Sequence, residues 1–167
     1  MAGQLTEGHQ PGARLDLPMR SGPRPATHKL PPHTQLDARP IPELVDELAR
    51  HCFSLPDVHE EPTRISVPGA RALVADHPDT AVPSARAMGG EFAHIHPDGS
   101  MHATLSLSDA ETAIDAGWAE PHPMAASFEP GMVMLYTPRN RDELEVIKTL
   151  VDRSWAHVLD RRPNLSR

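Results

Sequence analysis

The stretch Glu91-Phe-Ala-His-Ile-His-Pro-Asp-Gly-Ser-Met-His102 places three histidines within nine residues, and the rest of the chain is organised around it. Side chains two positions apart in a strand point to the same face, so His94 and His96 project together. The Pro-Asp-Gly segment that follows predicts a three-residue turn in which Gly99 takes the left-handed conformation and forms a bulge. This register pairs His94 with His102 and puts all three histidines on one face of a β-hairpin. A two-residue loop would instead turn His102 to the other face.

The predicted hairpin separates polar from apolar side chains. Its polar face carries His94, His96, Ser100, His102 and Thr104. Its apolar face carries Ala93, Ile95, Met101, Ala103 and Leu105. Because strand residues alternate, Glu91 is expected to point away from the histidines.

Length, charge and cysteine content exclude several classes of protein. The chain has 167 residues, which suggests one domain. A formal charge of −7 argues against a nucleic-acid or anionic-membrane partner, and no apolar run approaches the roughly 20 residues that span a bilayer. The single cysteine, Cys52, excludes an intrachain disulfide and fits a reducing compartment. Since the first residues also lack a signal-peptide pattern, we expect a soluble, cytoplasmic protein of undetermined oligomeric state.

The pattern along the chain predicts one folded domain between two tails. Residues 1–38 are rich in proline without helical or strand periodicity, which predicts a disordered tail. The folded domain is expected over residues 39–160, followed by a polar C-terminal tail at 161–167. The order of a helix, strands, a short helix, a strand and a long helix predicts an α+β fold, with a mainly antiparallel sheet backed by helices.

Local patterns also predict individual elements. A stripe of apolar residues after Pro40 predicts the first helix, and Asn140 is placed to cap the last one. Strands are expected at 63–67, 71–75, 84–88 and 132–136, whereas 55–62 is expected to be a connector and 118–123 irregular.

The three hairpin histidines allow three interpretations. Neutral imidazoles converging on one face suit a transition metal such as Zn, Fe, Cu or Ni. Their spacing resembles the His-x-His of cupin metal sites, although the carboxylate that normally follows is missing. Without a metal, the same side chains could act as general bases or bind an anionic substrate. They could also form only structural hydrogen bonds within the sheet.

Two further groups of residues could contribute chemistry. Glu120 and His122 lie in a segment that Pro121 and Pro123 make rigid, which suits a catalytic pair and equally suits a structural loop. Arg139 follows a predicted strand, where its planar guanidinium could bind a carboxylate or an enolate. An arginine at a strand end is also a common surface cap.

An ordered series of motifs resembles the luciferase domain of fungal bioluminescence and its bacterial relatives. The resemblance extends over about residues 60 to 160 and rests on four segments: 90–102, 105–110, 117–123 and 136–147. It implies a luciferase-like, cofactor-independent oxygenase, that is, a monooxygenase or dioxygenase. Such an enzyme oxidises a hydroxylated pyrone of the 3-hydroxyhispidin type with O₂, releases CO₂ and emits light.

Chemistry of this kind assigns a role to each candidate residue. Deprotonation of an acidic enol needs a general base, for which the candidates are His94, His96, His102 and His122. A second histidine or Arg139 would stabilise the enolate. The walls of the substrate site would be Phe92, Trp118 and Tyr136, with Glu120 or Arg139 at its edge.

The expected partners are therefore a small-molecule substrate and O₂, with no cofactor. Two alternatives remain open. One is a non-enzymatic small-molecule binding domain that uses the same pocket. The other is a metal-dependent oxygenase or hydrolase in which His94, His96 and His102 bind a divalent transition metal.

Overall fold

A computed structural model describes residues 13–160, in which six strands form an antiparallel sheet with helices packed against it. The strand order is β1-β2-β3-β4-β6-β5, with bounds Val58–Pro62 (β1), Arg71–Ala75 (β2), Glu91–Ile95 (β3), Met101–Thr104 (β4), Ala119–Pro121 (β5) and Met132–Leu135 (β6). The helices are Pro42–Phe53 (α1), Pro83–Ala87 (α2), Leu107–Asp115 (α3) and Arg141–Val158 (α4). The predicted fold class is confirmed. Within 13–160, no helix combines the length and the apolarity that crossing a bilayer requires.

The hydrophobic core lies between one face of the sheet and the helices α1 and α4. Apolar side chains recur along α4 at helical spacing and are fully buried, for example Leu144 and Ile147. Asn140 caps this helix by accepting a hydrogen bond from the Glu143 backbone N–H at 2.9 Å, as predicted. This layer fixes the sheet, so that its opposite face can carry the site.

The predicted register of the β3–β4 hairpin is confirmed. His94 pairs with His102 and Ile95 pairs with Met101. Gly99 has φ +83°, the left-handed conformation that the three-residue turn requires. The histidines therefore share the face of the sheet that does not contact α1 and α4.

A β-bulge in β3 brings a carboxylate to that face. On β2, Leu73 pairs with Ala93 but the next residue, Val74, pairs with Glu91, so Phe92 is an extra residue in β3. The bulge interrupts the alternation of side chains. As a result, Glu91 reaches His94, and the prediction that it points away from the histidines is wrong.

Residues 13–38 lie against the domain, which differs from the predicted disordered tail. Leu15 is 3% exposed within the core, and Pro18 O accepts a hydrogen bond from Trp118 Nε1 at 2.6 Å. His33 is also buried. Apolar periodicity is absent from this segment because it is held by hydrogen bonds to side chains of the domain rather than by a helical or strand face. The rest of the predicted tails, 1–12 and 161–167, lies outside the described residues.

Three local predictions are wrong at segments that contain a proline. The strand expected at 63–67 is absent, and β1 lies instead within 55–62, which was expected to be a connector. In the same way, β5 lies within the segment 118–123 that was expected to be irregular. Both are edge strands, where proline is tolerated because one side of the backbone needs no ladder partner. Residues 83–87 form α2 rather than a strand, with Pro83 in its first turn.

Candidate functional site

A cavity of about 720 Å³ lies over the face of the sheet that carries the histidines. It is enclosed by α2, by residues 65–68, by residues 122–128 and by residues 31–33. The lining is largely apolar, and its larger side chains are Ile65, Val67, Met88, Phe92, Met124, Phe128 and Met132. Polar groups are contributed by Ser84, Glu91, His94, His102, Thr104, His122 and His33. Such a volume and lining suit a small, flat organic molecule.

Three imidazoles and two carboxylates form a continuous row of polar contacts along the floor of this cavity. Glu91 Oε1 lies 3.0 Å from His94 Nδ1, and His94 Nε2 lies 2.9 Å from His102 Nδ1. His102 Nε2 then lies 3.1 Å from Nδ1 of His33, whose Nε2 lies 2.6 Å from Glu120 Oε1. We call this Glu–His–His–His–Glu arrangement the histidine row.

The carboxylate of Glu91 is ionised at one end of the histidine row. Burial would raise its pKa, but hydrogen bonds from His94, from the Thr63 hydroxyl and from the Arg64 backbone N–H outweigh burial and lower it. The Thr63 and Arg64 contacts measure 2.8 and 3.1 Å. An ionised Glu91 can only accept, so it fixes a proton on His94 Nδ1.

Glu120 ends the row in the same way. Burial would raise its pKa, but hydrogen bonds from His33, Thr27 and Tyr136 lower it. The hydroxyls of Thr27 and Tyr136 donate to its two oxygens at 2.8 and 3.0 Å. This carboxylate therefore fixes a proton on His33 Nε2.

His96 lies beside the row with one ring nitrogen unpaired. Ser100 Oγ donates to Asp98 Oδ1 at 2.6 Å, so at 2.9 Å it accepts from His96 Nδ1. Nε2 of His96 is buried and has no hydrogen-bond partner among residues 13–160. Burial, reinforced by the neighbouring imidazoles, lowers the pKa of His96 to about 3, so the ring is neutral. One nitrogen each of His94, His96 and His102 lies within 4.8 Å of the others.

His122 directly follows β5 and lies next to the histidine row. Its ring centroid lies 4.5 Å from that of His102, and its Nδ1 accepts the Met124 backbone N–H at 3.0 Å. Burial lowers the pKa of His122 to about 4. All four predicted histidines thus lie together, although the lone pair on His122 Nδ1 is already used.

Of the five residues predicted to bind the substrate, one lines the cavity and four do not. Phe92 lines the cavity, whereas Glu120 and Tyr136 lie behind the histidine row. Trp118 is buried in the hydrophobic core, away from the cavity. Arg139 pairs with Glu143 at the start of α4, so it does not contact the cavity either.

Sequence reasoning missed three polar residues of the site. Glu91 lies at the site only because the bulge puts its side chain on the face of His94. His33 lies 69 residues before its partner His102. Ser84 lines the cavity, and its buried Oγ lacks a hydrogen-bond partner within the described part of the chain. Local sequence around His33 and Ser84 contains no periodic pattern that would have identified them.

Comparison with known proteins shows which family the part of the chain around this site resembles. The fold and site define an α+β domain in which an imidazole cluster forms the floor of an apolar cavity. Residues 89–154, which include the hairpin and His122, match the family model of the luciferase domain. This part of the chain is therefore similar to the luciferase domain, and the predicted resemblance is confirmed.

The relatives are fungal proteins named luciferase. Those of Armillaria gallica and Armillaria mellea are 30% identical over 165 residues and 31% identical over 167 residues, covering 86% of this chain. The chain spans 61% of the length of these two relatives. The luciferase of Neonothopanus nambi is 32% identical over 74 residues, which is 41% of this chain and 28% of that protein. No solved structure matches the chain significantly.

Proposed function

We propose that this protein is a luciferase-like oxygenase that oxidises a small, flat, enolisable aromatic or pyrone-type substrate with O₂. The observation that carries the proposal is the convergence of imidazole nitrogens at the floor of a largely apolar cavity of about 720 Å³. Kinship with fungal luciferases supports a 3-hydroxyhispidin-like molecule as the first substrate to test.

The histidine row is suited to accept the proton of an enol. With one N–H group on each imidazole, the row has three protons for four contacts, so one contact lacks a proton. His94 and His33 donate to the carboxylates at the two ends, so the N–H of His102 fills either its contact with His94 or its contact with His33. A proton taken from the substrate would fill the other contact. A histidine of that contact, His102 or its neighbour, therefore acts as the general base.

Removing this proton prepares the substrate for O₂. The largely apolar lining would limit the water around a bound enolate, which would make the enolate more reactive. The imidazolium left in the histidine row stabilises the negative charge. The enolate carbon then bonds to O₂, supplying both electrons of the new C–O bond, and O₂ is reduced to the peroxide level. Ser84 Oγ is available to hydrogen-bond a polar group of the substrate.

Oxygen uptake with a hydroxypyrone tests this proposal. Wild-type protein is expected to consume O₂, and His102→Ala should lower turnover by about 10² to 10⁴. His77→Ala is the matched control, since His77 is exposed and does not line the cavity. Unchanged uptake in a folded His94→Ala/His102→Ala variant would refute the role of the histidine row. Tight hydroxypyrone binding without O₂ consumption would instead identify a binding domain.

A further inference from the structure

We infer that His94, His96 and His102 form a binding site for one divalent first-row transition metal ion. The inference rests on the proposed oxygenase function, whose cavity it uses, and changes one role within it. With a metal bound, His94 and His102 would be ligands rather than the general base. It is nevertheless tested without substrate, so the two can fail separately.

The hydrogen bonds on the outer side of the histidine row direct two lone pairs toward each other. Glu91 fixes the proton of His94 on Nδ1, which leaves a lone pair on Nε2. Glu120 fixes the proton of His33 on Nε2, so His33 Nδ1 can only accept from His102 Nε2. In the His102 tautomer that makes this hydrogen bond, the lone pairs of His102 Nδ1 and His94 Nε2 face each other across 2.9 Å. The other tautomer moves the same conflict to the contact between His102 and His33. Such a contact is repulsive unless a cation lies between or beside the nitrogens.

His96 supplies a third lone pair to the same place. Because Ser100 accepts from His96 Nδ1, the lone pair lies on Nε2, which is buried without a partner among residues 13–160. A buried polar atom left unpaired is costly. A proton shared by His94 and His102 would satisfy two of the three nitrogens. A metal ion satisfies all three.

The donor set fits a transition metal. Neutral imidazole is a preferred ligand of Zn, Fe, Ni and Cu, and three protein ligands leave a position for a substrate or water. Ligand bonds near 2.0–2.1 Å place two nitrogens about 3.3 Å apart in a tetrahedral site, so the 2.9 Å contact needs to open by only a few tenths of an ångström. His94 and His102 both line the cavity, which puts the remaining position toward the substrate.

The second ring nitrogen of each proposed ligand has a hydrogen-bond partner. The second nitrogens of His94, His96 and His102 are bonded to Glu91, Ser100 and His33 respectively. Metal-binding histidines commonly have such partners, which fix the tautomer and the ring orientation. When the metal is bound, its charge would stabilise the enolate in place of an added proton.

A second histidine group is geometrically close but lacks free lone pairs. One nitrogen each of His33, His102 and His122 lies within 4.8 Å of the others. However, both nitrogens of His33 are engaged by His102 and Glu120, and Nδ1 of His122 accepts the Met124 N–H. The two groups therefore predict different effects of substituting His122.

The test is metal binding by the full-length chain. Metal content is measured on purified protein, which is then treated with a chelator and titrated with Zn²⁺ and Co²⁺ by calorimetry and visible absorption. We expect one ion per chain, a higher melting temperature on metal addition, and a Co²⁺ spectrum typical of imidazole ligands. His96→Ala should abolish binding, and Glu91→Gln should weaken it about 10- to 100-fold. Circular dichroism verifies that each variant is folded.

Two control variants make the outcome decisive. His77→Ala and His122→Ala should each retain binding of one ion. Loss of binding in His122→Ala would overturn the assignment in favour of the other histidine group. Retained binding in folded His96→Ala, or no binding by wild type at micromolar metal, would overturn the site itself. Oxygen uptake measured on metal-free and reloaded protein then reports separately on the proposed oxidation.

Discussion

Tyr136 donates its phenolic hydroxyl to Glu120 at 3.0 Å, and the same carboxylate accepts from His33 at 2.6 Å. One glutamate thereby joins the end of β6 to the N-terminal segment and to the histidine row. The phenol is the single tyrosine of the chain, so its ionisation can be observed directly.

The first prediction is that Tyr136 ionises late. Burial and the negative charge of Glu120 raise its pKa to about 12, against about 10 for an unperturbed tyrosine. Between these values the unfolded chain has lost the proton while the folded chain retains it, so the free energy of unfolding falls as pH rises. Phenolate absorbance in native and urea-unfolded protein measures both midpoints. Glu120→Gln should lower the native midpoint; a wild-type midpoint near 10 in folded protein would contradict the structure.

The second prediction is that residues 13–38 stabilise the domain. Removing residues 1–38 exposes Trp118 and leaves the polar groups of Glu120 and His102 without their buried partners, each worth about 1–3 kcal/mol. We expect a loss of several kcal/mol in urea unfolding and a red shift of tryptophan fluorescence. Leu15→Ala is a milder version, with an expected cost of about 2–3 kcal/mol. Equal unfolding midpoints for full-length and truncated chains would show that the segment is dispensable.

The third prediction compares two glycines with the same backbone conformation. Gly99 and Gly117 have φ +83° and +84°, so alanine at either costs about 1–2 kcal/mol in backbone strain. At Gly99 the added Cβ would also lie 3.0 Å from Thr137 Cγ2 and from Val45 Cγ2, whereas at Gly117 its nearest neighbour, Arg20 Cβ, is 3.5 Å away. Gly99→Ala should therefore be the more destabilising by urea unfolding. Equal losses would mean that the turn relaxes freely.

The fourth prediction concerns Ser84. Its buried hydroxyl has no partner within residues 13–160, so Ser84→Ala should leave the melting temperature unchanged or slightly higher while weakening binding of an oxygenated ligand. Ser154→Ala is the control: Ser154 Oγ donates to Thr104 O at 2.7 Å, and its loss should cost about 1–3 kcal/mol. Destabilisation by Ser84→Ala equal to that of Ser154→Ala would imply an unrecognised structural bond.

The hairpin was predictable because its determinants are local. Alternation fixes which residues share a face, and the turn residues before Ser100 fix the register, so the grouping of His94, His96 and His102 follows from a dozen consecutive positions. The helix α4 was predictable for a similar reason, since its cap and its apolar stripe lie in one segment.

The remainder of the site depends on relationships that no local pattern contains. Glu91 faces His94 because β3 has one more residue than β2 over the same span, which is a property of the pair of strands. His33 comes from a segment that contributes side-chain hydrogen bonds but no periodic face. The position of Trp118 in the core rather than at the cavity depends on the path of the chain after Gly117, which spacing does not determine.

The bulge in β3 has a consequence for how this strand can vary. Replacing Phe92 changes a cavity wall but preserves the residue count, so Glu91 still meets His94. Deleting Phe92 would remove the bulge and leave Glu91 two positions before His94, where simple alternation puts both side chains on the same face. The contact between carboxylate and imidazole therefore depends on residue count and bulge together, since a four-residue span from Glu91 to His94 needs the bulge and a three-residue span does not.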